Sequence, residues 1–411
     1  MPEAVIVSTA RSPIGRAFKG SLKDERPDDL AAAMVTAALA SIPAFDAANP
    51  DRGLDDLYLG CAEPSGEAGS NMARVVSILA GLDNVPAATI NRFCASSLQT
   101  LRMAFHAIKA GEGQAFVAAG VEAVSRYRNW AGAGETDAST HNPLFAAAGQ
   151  RTAARAASNT PWTDPRLGDR MPDIYISMGQ TAENVATSYG IGRADQDAWA
   201  VLSQNRAEAA IAAGFYAREI TPYTRKDGTV VDRDDSPRAG VTLEAVNALQ
   251  PVFRSGGTVT AGNACPLNDG AAAVVVMDDA RARELGLQPL ARIVSTGVSA
   301  LSPELMGMGP VEASRRALKL AGLGIGDIDL VELNEAFAVQ VVASAKELGI
   351  DHDKLNVNGG AIALGHPFGM TGARMTATLL NALRERDGHL GLATLCVGGG
   401  QGMAVVLERL S

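Results

Sequence analysis

Two hydrophobic periods take turns along the chain. Residues 4–10, AVIVSTA, form a continuous apolar run that predicts a buried strand. A stripe of helical spacing follows over 28–39, then the run DDLYLGCAEP at 55–64 predicts a second strand and 70–79 a second helix. In ATINRFCASSLQTLRMAFHAIK (88–109) the pattern switches at Cys94. Short β-prone residues precede it, while Leu98, Leu101, Phe105 and Ile108 recur at helical spacing until Gly111 stops the run. Residues 114–120 predict one more strand. This alternation indicates an α/β layered domain.

From about 125 to 170 the periodicity disappears, in a stretch with six arginines, no lysine and four acidic residues. A structureless stretch of that length in a compact protein is usually a functional excursion. Helical patterns return at 178–189 and 193–213, a charged hairpin or loop is expected over 225–235, and 258–277 returns to strand character.

The second half then echoes the first. IVST at 6–9 recurs at 293–296, and DLYLGC (56–61) corresponds to DLVELN (329–334). The Cys94 unit corresponds in layout to VNGGAIALGHPFGMTGARMTATLLNAL (357–383), and FVAAGVEAV (116–124) to LCVGGGQGM (395–403). Four matches in one order indicate an internal duplication. The expected division is 1–124 plus 256–279 as one half, 125–255 as an inserted loop domain and 280–411 as the other half. Two strand-to-helix elbows, one carrying Cys94 and one carrying His366, are expected to face each other across a pseudo-twofold axis.

Composition narrows the function. With 411 residues, 47% hydrophobic, 20% charged and a net charge of −9, the chain reads as a soluble multidomain protein that does not bind nucleic acid or an anionic membrane surface. Four cysteines without a CxxC pair give neither a zinc site nor a disulfide framework, so no metal is expected. The opening residues lack signal-peptide character and no long uncharged apolar run appears, so a cytoplasmic location is expected.

Cys94, on a tight turn at a helix start, lies near orphan amides and the positive end of the helix dipole, with Ser96 and Ser97 placed to cap. That setting is expected to lower its pKa and make it a nucleophile; the alternative is an inert buried cysteine. His366, fixed between Gly365 and Pro367, suits a base or an oxyanion donor, or a structural turn. Cys396 precedes GGGQG, whose backbone amides suit an anionic ligand, although a plain core cysteine fits as well. Asn334 ends a strand where its amide would enter a cleft, and Glu335 reads as structural.

With Cys94, NEAFA, GGAIALGHP and CVGGGQG in place, the sequence resembles the thiolases, the acetyl-CoA acetyltransferase and 3-ketoacyl-CoA thiolase family. STARSPIG, MGQTAENVA (178–186), VTAGNACPLNDGAA (259–272) and MGMGP (306–310) extend the resemblance over nearly the whole chain. It implies a duplicated five-layered α-β-α-β-α fold with a loop-domain insertion. It also implies reversible acyl transfer between acetyl-CoA and acyl-CoA.

In that reading Cys94 is acylated, His366 is its base, and Cys396 moves a proton at the α-carbon. Asn334 completes one oxyanion site, and the amides of Cys94 and Gly398 make the other. Coenzyme A thioesters are substrates and no cofactor is permanently bound. Arg225 is assigned to the nucleotide phosphates, Met178, Met306 and Phe337 to the acyl and pantetheine walls, and Ala261, Ala264 and Cys265 to the matching loop. The family implies a dimer or a dimer of dimers.

Three positions depart from the pattern. Ser97 replaces a glycine, Cys265-Pro266 replaces Ser-Gly, and Ser177 stands where acetyl-specific members have histidine. A ketoacyl-synthase-type condensing enzyme and a non-catalytic acyl-CoA carrier are the competing functions.

Overall fold

A computed structural model of the chain describes residues 2–127, 138–158 and 160–411. Nine strands account for the apolar runs. They are β1 (Ala4–Arg11), β2 (Asp56–Gly60), β3 (Ala87–Ile90), β4 (Ala115–Ala123), β5 (Asn268–Asp278), β6 (Ala291–Ala300), β7 (Leu330–Leu333), β8 (Leu390–Val397) and β9 (Gln401–Arg409). Their order is β7-β8-β9-β6-β1-β5-β4-β2-β3, so the sheet is continuous from one half of the chain to the other. The junction is short: β1 and β6 pair antiparallel only through Val5 with Arg292 and Ile6 with Ala291.

Each side of that junction has the same pattern. β2 and β4 are parallel, β4 and β5 antiparallel, and β5 and β1 antiparallel. Likewise β7 and β8 are parallel, β8 and β9 antiparallel, and β9 and β6 antiparallel. The IVST echo extends to detail. The β1–β5 register skips Val7, between Ile6 and Ser8, and the β6–β9 register skips Val294, between Ile293 and Ser295. One bulge therefore occurs twice, at the same place in the repeat.

Each repeat's serine also does the same work. Ser8 Oγ donates to the Ala38 carbonyl at 2.7 Å, near the end of helix α1 (Pro27–Ala40). Ser295 Oγ donates to the Ala317 carbonyl at 2.7 Å, in the helix Gly309–Ala321. The halves differ at one edge: β3 pairs with β2 over four residues, whereas beside β7 only the single bridge Val331–Leu355 remains.

Alternate residues of each strand face different helices. Ile6, Phe116, Val274, Leu395 and Val405 share a core with Leu98, Leu101 and Ile108, and with Leu379 and Leu383. Their neighbours Val5, Leu57, Val117 and Val275 face a second core with Leu30, Val35, Met72 and Val76. Val331, Leu392 and Val406 face a third with Val185, Trp199, Val311 and Val341. The layers are therefore α1 and α2 (Met72–Leu79), the first half-sheet, and the central pair, α3 (Ser96–Ala110) with the helix Thr371–Glu385. The second half-sheet and a final helical layer follow, giving the expected α-β-α-β-α arrangement.

The longer of the remaining helices are α4 (Ala146–Ser158), α5 (Met178–Tyr189), α6 (Arg193–Ala212), α7 (Gly309–Ala321), α8 (Ala338–Leu348) and α9 (Thr371–Glu385). α4 lies inside the stretch read as aperiodic; that stretch also contains 128–137 and 159, outside the described residues. The expected hairpin forms, pairing Tyr223–Thr224 with Val230–Val231. The strand expected over 258–277 begins only at Asn268. Before it, Asn263 accepts from the Thr260 amide at 2.8 Å in a turn, and Pro266 removes a ladder donor. Among the described residues no helix is long and apolar enough to cross a membrane.

Candidate active site

The first elbow carries Cys94. Phe93 adopts a left-handed backbone, φ 43°, which costs a residue with a side chain about 1 kcal/mol or more. Ser96 braces this turn: its Oγ accepts from the Arg92 amide at 2.9 Å and donates to the Phe93 carbonyl at 2.6 Å. The Arg92 side chain donates to Gln99 and Gln401, both at 3.0 Å, tying the turn to β9. Neither serine caps α3 itself, in contrast to the expectation from sequence. Ser97 Oγ instead accepts from the Ala373 amide at 2.9 Å, in the first turn of α9.

The second elbow meets the first at that point. A Cβ on Gly120 would lie 2.0 Å from the Gly369 carbonyl and 2.5 Å from Ser97 Cβ, so only glycine permits this approach. Glu122, fully buried at the end of β4, accepts from the Gly369 amide at 2.8 Å, Ala62 N at 2.8 Å and Tyr127 Oη at 2.7 Å. A carboxylate from the first half thus holds the loop that carries His366.

His366 is 1% exposed. Gly365, at φ 112°, packs against the Asn268 side chain, whose Oδ1 accepts from His366 N at 3.0 Å. The ring nitrogens face Thr371 Oγ1 at 2.6 Å (Nδ1) and Asn334 Nδ2 at 3.2 Å (Nε2). Burial, reinforced by the nearby Arg374 charge, pushes the imidazole down to about 3, so the ring is neutral near pH 7. Asn334 leaves the end of β7; its Oδ1 is buried with no hydrogen-bond partner among the described residues.

Cys396 is fully buried on β8 and donates to Gln340 Oε1 at 3.1 Å, while Gln340 Nε2 donates to the Asn334 carbonyl at 2.9 Å. Burial pushes the Cys396 thiol up to about 12. Burial also pushes the Cys94 thiol up, and the neighbouring Cys396 and Cys265 thiols add to this, while a hydrogen bond from the Gly398 amide opposes it. The expectation of a depressed resting pKa is therefore overturned. Although Cys94 keeps some exposure, desolvation of its thiol outweighs the amides of the helix start. Cys94 needs a base to take its proton.

Cys265 joins the same cluster. Its amide donates to the Ala336 carbonyl at 3.0 Å, and Ala264 bridges Phe337. Burial raises its thiol, with Cys396 the next contributor. Phe337 and Met306 belong to the third core, Met306 at 1% exposure. Met178 starts α5 and packs against that core, and Ala261 is exposed on its loop. Arg225 makes its ion pairs at the hairpin beside α1, its guanidinium 3.4 Å from both Glu25 and Asp227. The fourth cysteine, Cys61, is buried against Glu122, and both burial and that carboxylate raise its pKa.

Beside the Gly398–Gly400 turn, Ile174 packs on Gly399. The adjoining segment borders a cavity of about 680 Å³ lined by His141, Phe145, Thr152, Tyr175, Ser177 and Gln180, with His141 stacked on Tyr175 at 3.8 Å. Thr371, Gln340, Asn268 and Glu122 were not singled out from sequence. Thr371 and Gln340 do follow His366 and Asn334 by five and six positions, but only the fold turns them back onto the site.

Comparison with known proteins agrees with this geometry. Residues 4–280 match the thiolase N-terminal domain and residues 287–409 the thiolase C-terminal domain. The chain is 43% identical to 3-ketoacyl-CoA thiolase of Bacillus subtilis (strain 168), over 99% of this chain and 100% of that protein. It is 45% identical to acetyl-CoA acetyltransferase of Escherichia coli (strain K12), over the whole of both chains. It is 44% identical to beta-ketoadipyl-CoA thiolase of Pseudomonas aeruginosa, over 99% of each. The crystal structure of Bacillus anthracis acetyl-CoA acetyltransferase superimposes with a TM-score of 0.84 at 37% identity, covering 100% of this chain and 99% of that one. From the doubled bulge to the paired elbows and these matches along its length, the chain belongs to the thiolase family.

Proposed function

We propose that this thiolase catalyses reversible acyl transfer between acetyl-CoA and acyl-CoA, in thiolysis or Claisen condensation, through an acyl group on Cys94. The observation that carries the reading is the approach of Cys94 from one half to Cys396 of the other, with Cys396 linked through Gln340 to Asn334 and Asn334 to His366. His366 takes the Cys94 proton. The thiolate attacks the thioester carbonyl, the C–S bond to coenzyme A breaks, and the departing thiolate regains the proton. The Gly398 amide, already directed at Cys94 Sγ, serves with the Cys94 amide as one oxyanion site, each donor contributing about 3–4 kcal/mol. Asn334 with His366 serves the second acyl group. Cys396 exchanges a proton with its α-carbon, since a weakly acidic C–H needs its own base.

Coenzyme A is assigned to the Ala261–Cys265 loop, Met178 and Phe337. Arg225 is assigned to the nucleotide phosphates, with Glu25 and Asp227 reducing its net attraction. The same reading takes 125–255 as the loop domain between the halves 1–124 plus 256–279 and 280–411. It places the enzyme in the cytoplasm, in fatty acid or other lipid metabolism, as a dimer or dimer of dimers without a resident cofactor.

Intact mass measurement after exposure to a panel of acyl-CoAs tests the proposal. One acyl group is expected, lost in Cys94→Ala and released by free coenzyme A. Acylation only from carrier-protein thioesters would favour a ketoacyl synthase, and binding without acylation would leave a carrier.

A further inference from the structure

His366 is held at both nitrogens, and the two contacts fix where its proton sits. Thr371 Oγ1 lies 2.6 Å from Nδ1 and also 2.7 Å from the Pro367 carbonyl oxygen. A hydroxyl has one proton, and a carbonyl oxygen only accepts. With the Thr371 proton directed to Pro367, its oxygen presents a lone pair to Nδ1, which must then carry the ring proton. Nε2 is left with its lone pair, and there Asn334 Nδ2 donates at 3.2 Å. Donors and acceptors alternate correctly along the whole chain from Pro367 to Asn334.

The other tautomer requires two changes at once. Thr371 would turn its proton from Pro367 to Nδ1, and the Asn334 amide would reverse so that Oδ1 accepted from Nε2–H. These are two proton positions in one network, and the hydroxyl selects between them. Thr371 has a fixed place from which to do so. It is the first residue of α9, is fully buried, and its backbone amide also donates to the Pro367 carbonyl at 3.0 Å.

We propose that Thr371 is the positioning residue of His366, taking Nδ1–H so that Nε2 is the basic nitrogen turned toward the reacting groups. The proposal rests on the acyl-transfer reading above for its catalytic consequence, though not for the tautomer itself. An orienting third group of this kind is normally a carboxylate. Here a neutral hydroxyl takes that place; Phe368 packs on the ring nearly at right angles, 5.1 Å between ring centres, and the Arg374 charge lies nearby. No anion among these contacts favours an imidazolium. The ring therefore stays neutral at rest, and the tautomer rather than the charge decides which nitrogen is reactive. When Nε2 takes the Cys94 proton, Nδ1–H remains on Thr371, so the contact persists through the transfer.

The test uses the full-length enzyme labelled with ¹⁵N-histidine, with the His366 signals assigned by difference from His366→Asn. Without substrate, the wild type and Thr371→Ser are expected to show the proton on Nδ1. Thr371→Val is expected to shift the ring toward the Nε2–H form and to lower kcat about 10²–10⁴-fold at little-changed KM, the usual contribution of a positioned base. Thr371→Ser is expected to restore kcat. A wild-type ring protonated at Nε2 overturns the proposal even if no variant folds. A Thr371→Val enzyme that loses kcat while keeping Nδ1–H overturns it as well, because the loss would not run through the tautomer. Failure of the acyl-Cys94 reading would appear in the mass measurement and leave the wild-type ¹⁵N signals unchanged, so the two failures are distinguishable.

Discussion

Ser97 Oγ accepts a hydrogen bond from the Ala373 amide at 2.9 Å, joining the start of α3 to the first turn of α9 across the centre of the molecule. The serine therefore satisfies an orphan amide on the opposite helix. It also stands where the two elbows come within backbone contact, beside Gly120 and Gly369.

Removing that hydroxyl is expected to cost about 1 kcal/mol, as loss of a helix cap does. Ser97→Ala should lower the urea midpoint by the corresponding amount and leave acylation of Cys94 intact. An unchanged midpoint would mean that the Ala373 amide finds another partner.

Cys94 should react as a thiol of raised pKa. Thiolate is the reactive form, so alkylation of the resting enzyme should climb about tenfold per pH unit from pH 6 to 9 without a plateau. Cys94 should still label before Cys61, which is buried beside Glu122, and His366→Ala should slow the labelling. A plateau below pH 7 would restore the depressed pKa expected from the helix start alone.

The thiols of Cys94 and Cys396 should separate by half-reaction. Cys396→Ala is expected to exchange acetyl groups between acetyl-CoA and Cys94 nearly normally, since that step breaks no C–H bond. Cleavage of a 3-ketoacyl-CoA should fall about 10²–10⁴-fold. Labelled acetyl incorporation and a thiolysis assay measure the two steps, and Cys94→Ala should abolish both.

His366 should make the fold sensitive to mild acid. Its folded pKa, about 3, lies below the unfolded value near 6.5, so the unfolded chain binds the proton first. The stability this neutral ring allows is present above pH 6.5 and is lost as the pH falls toward 3. At pH 5 the loss is roughly 2 kcal/mol. Comparing urea unfolding at pH 7 and pH 5 in wild type and His366→Asn should show the smaller decline in the variant.

Much of this arrangement is legible in the residues. The IVST repeat foretells two equivalent strands, and the structure adds that even the skipped residues, Val7 and Val294, correspond. The Cys94 elbow is legible as a strand-to-helix change of period, whereas the expected strand before GHP is absent: the short helix Ala361–Leu364 leads into His366, and only the bridge at Leu355 precedes it. α4 is not, because AAAGQRTAARAAS buries only Ala148 of its described side chains and shows no large apolar stripe. The resting state of Cys94 is not legible for a related reason: sequence displays helix starts but not desolvation. Thr371 and Gln340 carry no local signal, since their importance comes from which atom each side chain meets across the site. Arg225 is singled out only through the resemblance, with Lys226 and Asp227 beside it in sequence, and the fold adds Glu25 to the carboxylates around it.

The central layer has a consequence for how the enzyme comes into being. Leu98, Leu101 and Ile108 of α3 and Leu379 and Leu383 of α9 share one core with strands of both halves. Neither half can cover its inner face alone, so each is the other's missing solvent shield. The same two helices begin at the elbows that carry Cys94 and His366. A chain released from unfolding therefore has no halfway enzyme: the event that dries the middle of the molecule is the one that assembles the chemistry. Recovery of acylation should track recovery of buried structure, with no interval in which a folded but inert half accumulates.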